Sequence, residues 1–164
     1  DVGLANAVLN ALGLDSVRGL DGPRSAMPAL IILGIWRGLG YNVIIYLAGL
    51  QDIPAHLYEA ARIDGANRWQ LLRYITWPLL APTSFFILII AVINSFQSFT
   101  QVHVMTQGGP VGSTTVIVYY LYQQAFQQFN MGYGSAIAMV LFAIILVLTV
   151  IQFRLLGGKV QYQV

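Results

Sequence analysis

The sequence predicts an all-α membrane protein with three transmembrane helices. Of its 164 residues, 57% are hydrophobic and 9% are charged, whereas an ordinary soluble domain carries roughly 25% charged residues. Eight Lys and Arg residues with six Asp and Glu residues are too few to build the polar shell of a soluble core. Three long, charge-poor stretches hold most of the apolar residues, so lipid is the expected solvent for much of the chain.

Each of the three stretches is long enough to cross a bilayer. The first, residues 29–50, has Arg37 as its single charge, and its 22 residues would rise roughly 33 Å as a helix, against a hydrocarbon core of roughly 30 Å. The second, residues 79–105, has no charge and centres on FFILIIAVI. The third, residues 133–154, is uncharged between Ser135 and Phe153.

The positive charges of the loops predict the direction of the spans. Cytoplasmic loops are enriched in Lys and Arg. The opposite side holds two such residues, and the long loop 106–134 holds none. We therefore expect the first loop and the C-terminus to be cytoplasmic, because that side carries five cations: Arg62, Arg68, Arg73, Arg154 and Lys159.

The predicted cytoplasmic loop, residues 53–78, reads as two short helices. Pro54 suits the first turn of a helix, and Gly65 suits a left-handed residue that ends it. A second helix would then run to Pro78, which is expected to stop it. Ile53, Leu57 and Ala61 recur every fourth residue and would form an apolar face. That face suits insertion into a groove of a partner, although a hairpin that merely lies under the bundle explains the spacing equally well.

The run EAARIDGA, continued by ITWPLLAP, resembles the EAA loop of ABC importer permeases. In that family the loop is a coupling helix that sits in a cleft of an ATPase subunit. The resemblance implies that Pro78 is the closing proline of the motif. It assigns ATPase coupling to the core of the motif: Glu59, Ala60, Ala61, Asp64 and Gly65.

Three further runs narrow the resemblance to a branch of the family. LAGLQDIPAHLYEAA, MTQGGP and QFRLLGGKVQY are similar to the first of the two non-identical permease subunits in sugar-uptake systems. Such cores have about six spans, so the chain is expected to be the C-terminal half, a single incomplete domain. The odd number of spans and the start at Asp1 favour missing earlier spans, and no signal peptide is expected.

The resemblance also implies the assembly and its place. The expected partners are a second permease subunit, two ATP-binding subunits and an extracytoplasmic solute-binding protein. The chain itself would catalyse nothing and hold no cofactor, since the partner binds ATP. The expected location is the cytoplasmic membrane of a bacterium or archaeon.

A polar face in the second span is the predicted substrate site. Its members are spaced at i, i+3, i+4 and i+7, which places them on one side of a continuous helix. They could bond to a neighbouring helix, but four in register beside two Phe residues favour a passage for sugars, since amides bind hydroxyls and aromatic rings cover C–H surfaces. The four residues are Asn94, Gln97, Ser98 and Gln101.

The third span offers weaker substrate candidates near its start, namely Tyr133, Ser135 and Met139. Small residues there also favour close helix packing. Arg37 in the first span has two readings, outward snorkelling or a cation that attracts an anionic substrate. The aromatic and Gln-rich segment 113–129 is expected to form an interfacial helix outside the membrane, where it could also contact the solute-binding protein.

The sequence argues against several other classes. It contains no Cys, and its two His residues, His56 and His103, lie 47 positions apart, so we expect no metal site. The Arg residues form no basic stripe for nucleic acid. An intramembrane enzyme would need a nucleophile with a base, or a carboxylate pair, inside a span. An ion-coupled secondary transporter, the main alternative, usually places ionisable residues in its spans, and only Arg37 qualifies.

Overall fold

The computed structural model describes residue 7, residues 10–13 and residues 19–156. Arg18 and Lys159, which the direction argument uses, lie outside the described residues. Within the described ranges there are helices and turns but no strand, so the predicted all-α class is confirmed. In chain order the elements are α1 (Ala26–Gln51), α2 (Ala55–Ile63), α3 (Arg68–Leu71), π1 (Leu72–Thr76), α4 (Trp77–Leu79), α5 (Ala81–Phe96), α6 (Phe99–Met105), α7 (Ile117–Tyr122), π2 (Gln123–Gln127) and α8 (Met131–Leu156).

Three segments are long and apolar enough to cross a membrane: Ala26–Gln51, Ala81–Met105 and Met131–Leu155. The first begins before the predicted residue 29, because Pro28 is tolerated in a first turn, where backbone N–H groups lack intrahelical partners. Side chains along these helices, such as Trp36 and Ile44, are mostly exposed. Apolar residues in contact with hydrocarbon are stable there, so this exposure is the expected state of a lipid-facing surface.

The second span is not one continuous helix, and that expectation was wrong. α5 ends at Phe96 and α6 begins at Phe99. Between them Ser98 has φ −71° and ψ 58°, and the Phe99 N–H donates to the Gln97 carbonyl at 2.7 Å, which is an inverse γ-turn. Ser95 Oγ also donates to the Val92 carbonyl at 2.9 Å. Serine hydroxyls compete for backbone groups and weaken a helix in this way.

The chain forms two compact units, residues 1–36 with 96–141 and residues 37–95 with 142–164. The first unit has an apolar cluster around Leu30, Val102 and Tyr119. In the second, a Cβ added to Gly49 would lie 2.6 Å from Thr83 Oγ1, and Tyr46 Oη donates to Ser84 Oγ at 3.2 Å. Gly49 therefore allows α1 to approach the start of α5 closely.

The loop after α1 contains two helical segments, as predicted, but Pro78 does not end the second. π1 precedes the proline, and the Trp77 N–H donates to the Leu72 carbonyl five residues back. Because this wider turn contains one more residue, the backbone hydrogen bonding continues across Pro78, which has no N–H. The helix continues through α4 and ends at Leu80 (φ −83°, ψ −2°), directly before α5.

Candidate functional site: the loop helix and the broken span

The helix α2 that carries the EAA run is fixed at both ends by its own backbone. Pro54 precedes it in extended conformation (φ −61°, ψ 128°). At its C-terminus Gly65 has φ +83°, its N–H donates to the Arg62 carbonyl at 3.1 Å, and the Ala66 N–H donates to the Ala61 carbonyl at 2.9 Å. These two bonds are a Schellman motif, which requires a left-handed residue at this position. The expected role of Gly65 in ending the helix is confirmed.

The exposed side of α2 is not the apolar face that the sequence predicts for docking. Ile53 is 9% exposed, and Leu57 and Ala61 are half-buried, so this face packs within the chain. The hydroxyl groups of Tyr58 and Thr76 lie 3.0 Å apart and connect α2 to π1. The apolar face that the periodicity predicted is therefore partly covered by the chain itself, and its insertion into a partner groove stays a prediction.

The outward side of α2 carries most of the motif. Glu59, Ala60, Asp64 and Gly65 are exposed, and Ile63 is 87% exposed. Ile63 follows Glu59 by four residues, so both side chains lie on one helical face. Ile63 is not among the residues that the motif identifies, because a lone Ile next to a charged residue is an ordinary pattern. The exposed surface thus combines a carboxylate, a small residue that permits close approach, and an apolar side chain.

The four polar residues of the second span do not lie on one helical face, because the turn at Ser98 interrupts the helix. Asn94 is on α5 and Gln97 follows its last residue, both exposed, whereas Gln101 is half-buried on α6. The Gln101 Nε2 atom lies 3.9 Å from the position of a Cβ built on Gly34, so this amide faces α1. Asn94 and Ser98 both take part in interactions.

The candidates at the start of α8 have separate surroundings. Tyr133 is 48% exposed and Met139 67% exposed, and Ser135 is exposed. The Tyr133 ring meets the Tyr120 ring edge-on at 6.5 Å, and a hydrogen bond with Tyr133 raises the pKa of the Tyr120 phenol. A Cβ on the neighbouring Gly134 would lie 2.7 Å from Ala125 Cβ, so the close packing expected of this segment is confirmed at Gly134.

The segment 106–130 contains the helices α7 and π2, so a helix lies within the predicted 113–129, and it is also held by buried contacts. Thr114 is 0% exposed; its Oγ1 donates to the Gly109 carbonyl at 2.8 Å and lies 2.7 Å from Thr106 Oγ1. Behind it the His103 ring stacks on Phe99 at 5.0 Å, and both contact Tyr119 and Tyr122. Two of the five aromatic residues in segment 113–129, Tyr119 and Tyr122, therefore belong to a packed cluster, while Tyr120, Phe126 and Phe129 are exposed.

Three helices long and apolar enough to cross a membrane, with a capped loop helix between the first two, define a helical membrane protein. The sequence matches the family described as binding-protein-dependent transport system inner membrane component over residues 5–160. The chain belongs to this family.

Two relatives and one solved structure show the extent of the similarity. The chain is 42% identical to the arabinooligosaccharides transport system permease protein AraP of Halalkalibacterium halodurans, over 96% of this chain and 50% of the relative. It is 41% identical to the sn-glycerol-3-phosphate transport system permease protein UgpA of Brucella abortus, over 87% of this chain and 49% of the relative. The chain spans about half the length of these curated relatives.

The structural comparison covers the whole chain. The fold is similar to a bacterial alginate ABC transporter crystallised in complex with an alginate pentasaccharide-bound periplasmic protein, with a TM-score of 0.87, 29% identity, and coverage of 100% of this chain and 57% of that chain. The resemblance drawn from the EAA run is thus confirmed at the level of the family.

Proposed function

We propose that the protein is the permease subunit of an ATP-driven importer of carbohydrates, and that α2 couples its spans to a separate ATPase. The observation that carries the proposal is the Schellman-capped helix with Glu59, Ala60 and Ile63 exposed on it. The names of the similar permeases, which refer to arabinooligosaccharides and sn-glycerol-3-phosphate, and the alginate transporter with the same fold support a sugar or sugar phosphate as cargo.

The loop can transmit a push from its partner to the membrane. Glu59 supplies a carboxylate for an Arg in the ATPase cleft, and Ala60 lets the backbone of the partner approach. Force on α2 reaches π1 through the contact between Tyr58 and Thr76. From there the chain is nearly continuous helix into α5, since the Ser84 N–H donates to the Leu80 carbonyl at 2.8 Å. ATP-driven closure would thus re-orient the second span.

The loop is proposed to be cytoplasmic, and so is the C-terminus. Arg62, Arg68 and Arg73 lie on the loop and Arg154 lies in the last turn of α8, as the enrichment of cations on the cytoplasmic side requires. The proposed location is the cytoplasmic membrane of a bacterium or archaeon.

The cargo is proposed to pass along the interrupted second span. Interrupted helices are common where transporters bind their substrates, and this span carries the amides of Asn94, Gln97 and Gln101 and the hydroxyl of Ser98, which are groups that can bind sugar hydroxyls. Tyr133, Ser135 and Met139 remain weaker candidates. A second permease subunit, two ATP-binding subunits and an extracytoplasmic solute-binding protein would complete the importer, with ATP bound only by the ATPase.

The test is charge reversal on the full-length protein assembled with its ATPase. Glu59→Lys is expected to reduce ATP-dependent sugar uptake at least tenfold and to weaken ATPase binding. The reason is that it replaces the carboxylate proposed to bind an Arg of the partner with a cation that repels that Arg. Asp52→Lys is the matched control: it reverses an exposed acid of the same loop outside α2 and should leave uptake unchanged. Normal uptake by the Glu59→Lys protein would refute the coupling role.

A further inference from the structure

The run from α3 to α4 has one packed side and one exposed side. Leu71 and Leu80 are each 8% exposed, whereas Trp69, Tyr74 and Trp77 are 72%, 72% and 64% exposed. Large aromatic side chains left outside a fold in this number mark a surface that meets something other than water.

An arginine lies within this exposed set. Trp69, Arg73 and Trp77 recur every four residues and therefore share one helical face, and Tyr74 lies three residues before Trp77. We name these four residues the aromatic–arginine stripe. Arg73 is exposed, and within the described part of the chain its guanidinium has no hydrogen bond or ion pair. The stripe thus pairs an available cation with aromatic rings.

The stripe lies just before the second membrane-crossing segment along the chain, and this position indicates its surroundings. The membrane-crossing segment begins at Ala81, and at about 1.5 Å per residue Trp77 lies about 6 Å and Arg73 about 12 Å before it. The headgroup layer extends about 5–8 Å beyond the hydrocarbon core on each side. Trp77 and Tyr74 are therefore close enough along the chain to lie in or beside the headgroup layer, and the long Arg73 side chain can extend toward the phosphates.

We propose that the aromatic–arginine stripe binds anionic phospholipid headgroups. The forked N–H donors of Arg73 match phosphate oxygens, while Trp77 and Tyr74 sit at the boundary with the acyl chains, where such rings are stable. The sign of the charge favours an anionic lipid surface, to which juxtamembrane cations are attracted. The stripe would hold the start of the second span at a fixed depth, which is a role distinct from carbohydrate transport and independent of it.

The first experiment measures lipid affinity. The full-length protein with its permease partner is titrated with phosphatidylglycerol in phosphatidylcholine nanodiscs, and bound lipid is counted by native mass spectrometry. Arg73→Gln should weaken phosphatidylglycerol binding about fivefold, the equivalent of about 1 kcal/mol. Arg62→Gln, which removes an exposed cation on α2, should leave it unchanged. Equal losses in both variants, or no preference for phosphatidylglycerol in the unaltered protein, would overturn the proposal.

The second experiment distinguishes lipid from a protein occupant and keeps Arg73 intact. Trp77→Cys is introduced into a background without other thiols and is labelled with a membrane-impermeant maleimide. Slow labelling, whether or not the ATPase is bound, is expected of a side chain embedded in the lipid interface. Rapid labelling that only the ATPase suppresses would show that the stripe belongs to that partner, and rapid labelling in both states would show a water-exposed surface; either result contradicts lipid binding.

Discussion

The two long connecting segments, 52–80 and 106–130, satisfy their backbone hydrogen-bonding groups in different ways. Each must satisfy its backbone polar groups outside a regular span. The first does so with local caps, the Schellman motif at Gly65 and the capping box between Asn67 and Gln70, and leaves Glu59 and Ile63 exposed. The second uses buried side chains, above all Thr114, and an aromatic cluster. One segment therefore leaves Glu59 and Ile63 of α2 exposed, whereas the other is stabilised mainly by its own contacts.

The largest predicted loss of stability follows from Thr114→Val. The variant removes, at a fully buried position, the hydroxyl that bonds to the Gly109 carbonyl and to Thr106, so the free energy of unfolding in micelles should fall by about 3 kcal/mol. Thr115→Val, at an exposed threonine whose 3.3 Å bond reaches the Gly108 carbonyl, should cost less than about 1 kcal/mol. Similar losses in both would mean that the segment is not held by its buried hydroxyl.

Close packing where segment 106–130 meets α8 predicts the next largest loss of stability. Gly134→Ala places a methyl group against the backbone of Ala125, with the Cβ only 3.2 Å from its Cα, and should lower the free energy of unfolding by about 2 kcal/mol. Gly132→Ala is the matched control, since nothing lies within 4 Å of its added Cβ. Thermal unfolding of the two variants is compared; equal midpoints would contradict close packing at Gly134.

A smaller effect is predicted in segment 52–80. Asn67 accepts a hydrogen bond from the Gln70 N–H at 2.9 Å, so Asn67→Ala should cost about 1 kcal/mol through the loss of this cap. Asn67→Asp keeps an acceptor and should cost much less. Chemical unfolding of both variants tests whether Asn67→Ala costs more free energy of unfolding than Asn67→Asp. A loss above about 2 kcal/mol for Asn67→Ala would show that this segment is also held by tertiary contacts.

The smallest effect on folding is predicted for Ile63→Ser. Because Ile63 is 87% exposed, the free energy of unfolding should change by less than about 0.5 kcal/mol, while affinity for the ATPase should fall about tenfold through the lost apolar contact. Ile63→Leu keeps the apolar surface and should retain binding. Unfolding and ATPase pull-down are measured on the same preparations. Retained binding by Ile63→Ser would remove Ile63 from the docking surface.

The sequence could predict features that depend on nearby residues. Long stretches with at most one charge identified the three spans, and Gly65 identified the end of α2, because few other residues adopt positive φ at low cost. The break at Ser98 could not be predicted from periodicity, since the residue types around it also fit a continuous helix. The polar face of Asn94, Gln97 and Gln101 was inferred from that continuity and lost its geometric basis with it.

The contrast between Ile53 and Ile63 shows most clearly that residue type alone does not predict burial. Both are isoleucines at the edges of α2, yet one is 9% and the other 87% exposed. By itself the sequence determined that the chain is a helical membrane protein with a capped loop helix, because hydrophobicity and backbone preference act locally. Only the tertiary structure decided which side of that helix is covered, where the second span breaks and that Thr114 is buried, because burial depends on how the folded chain covers a side chain and the break depends on which of several competing local hydrogen bonds forms.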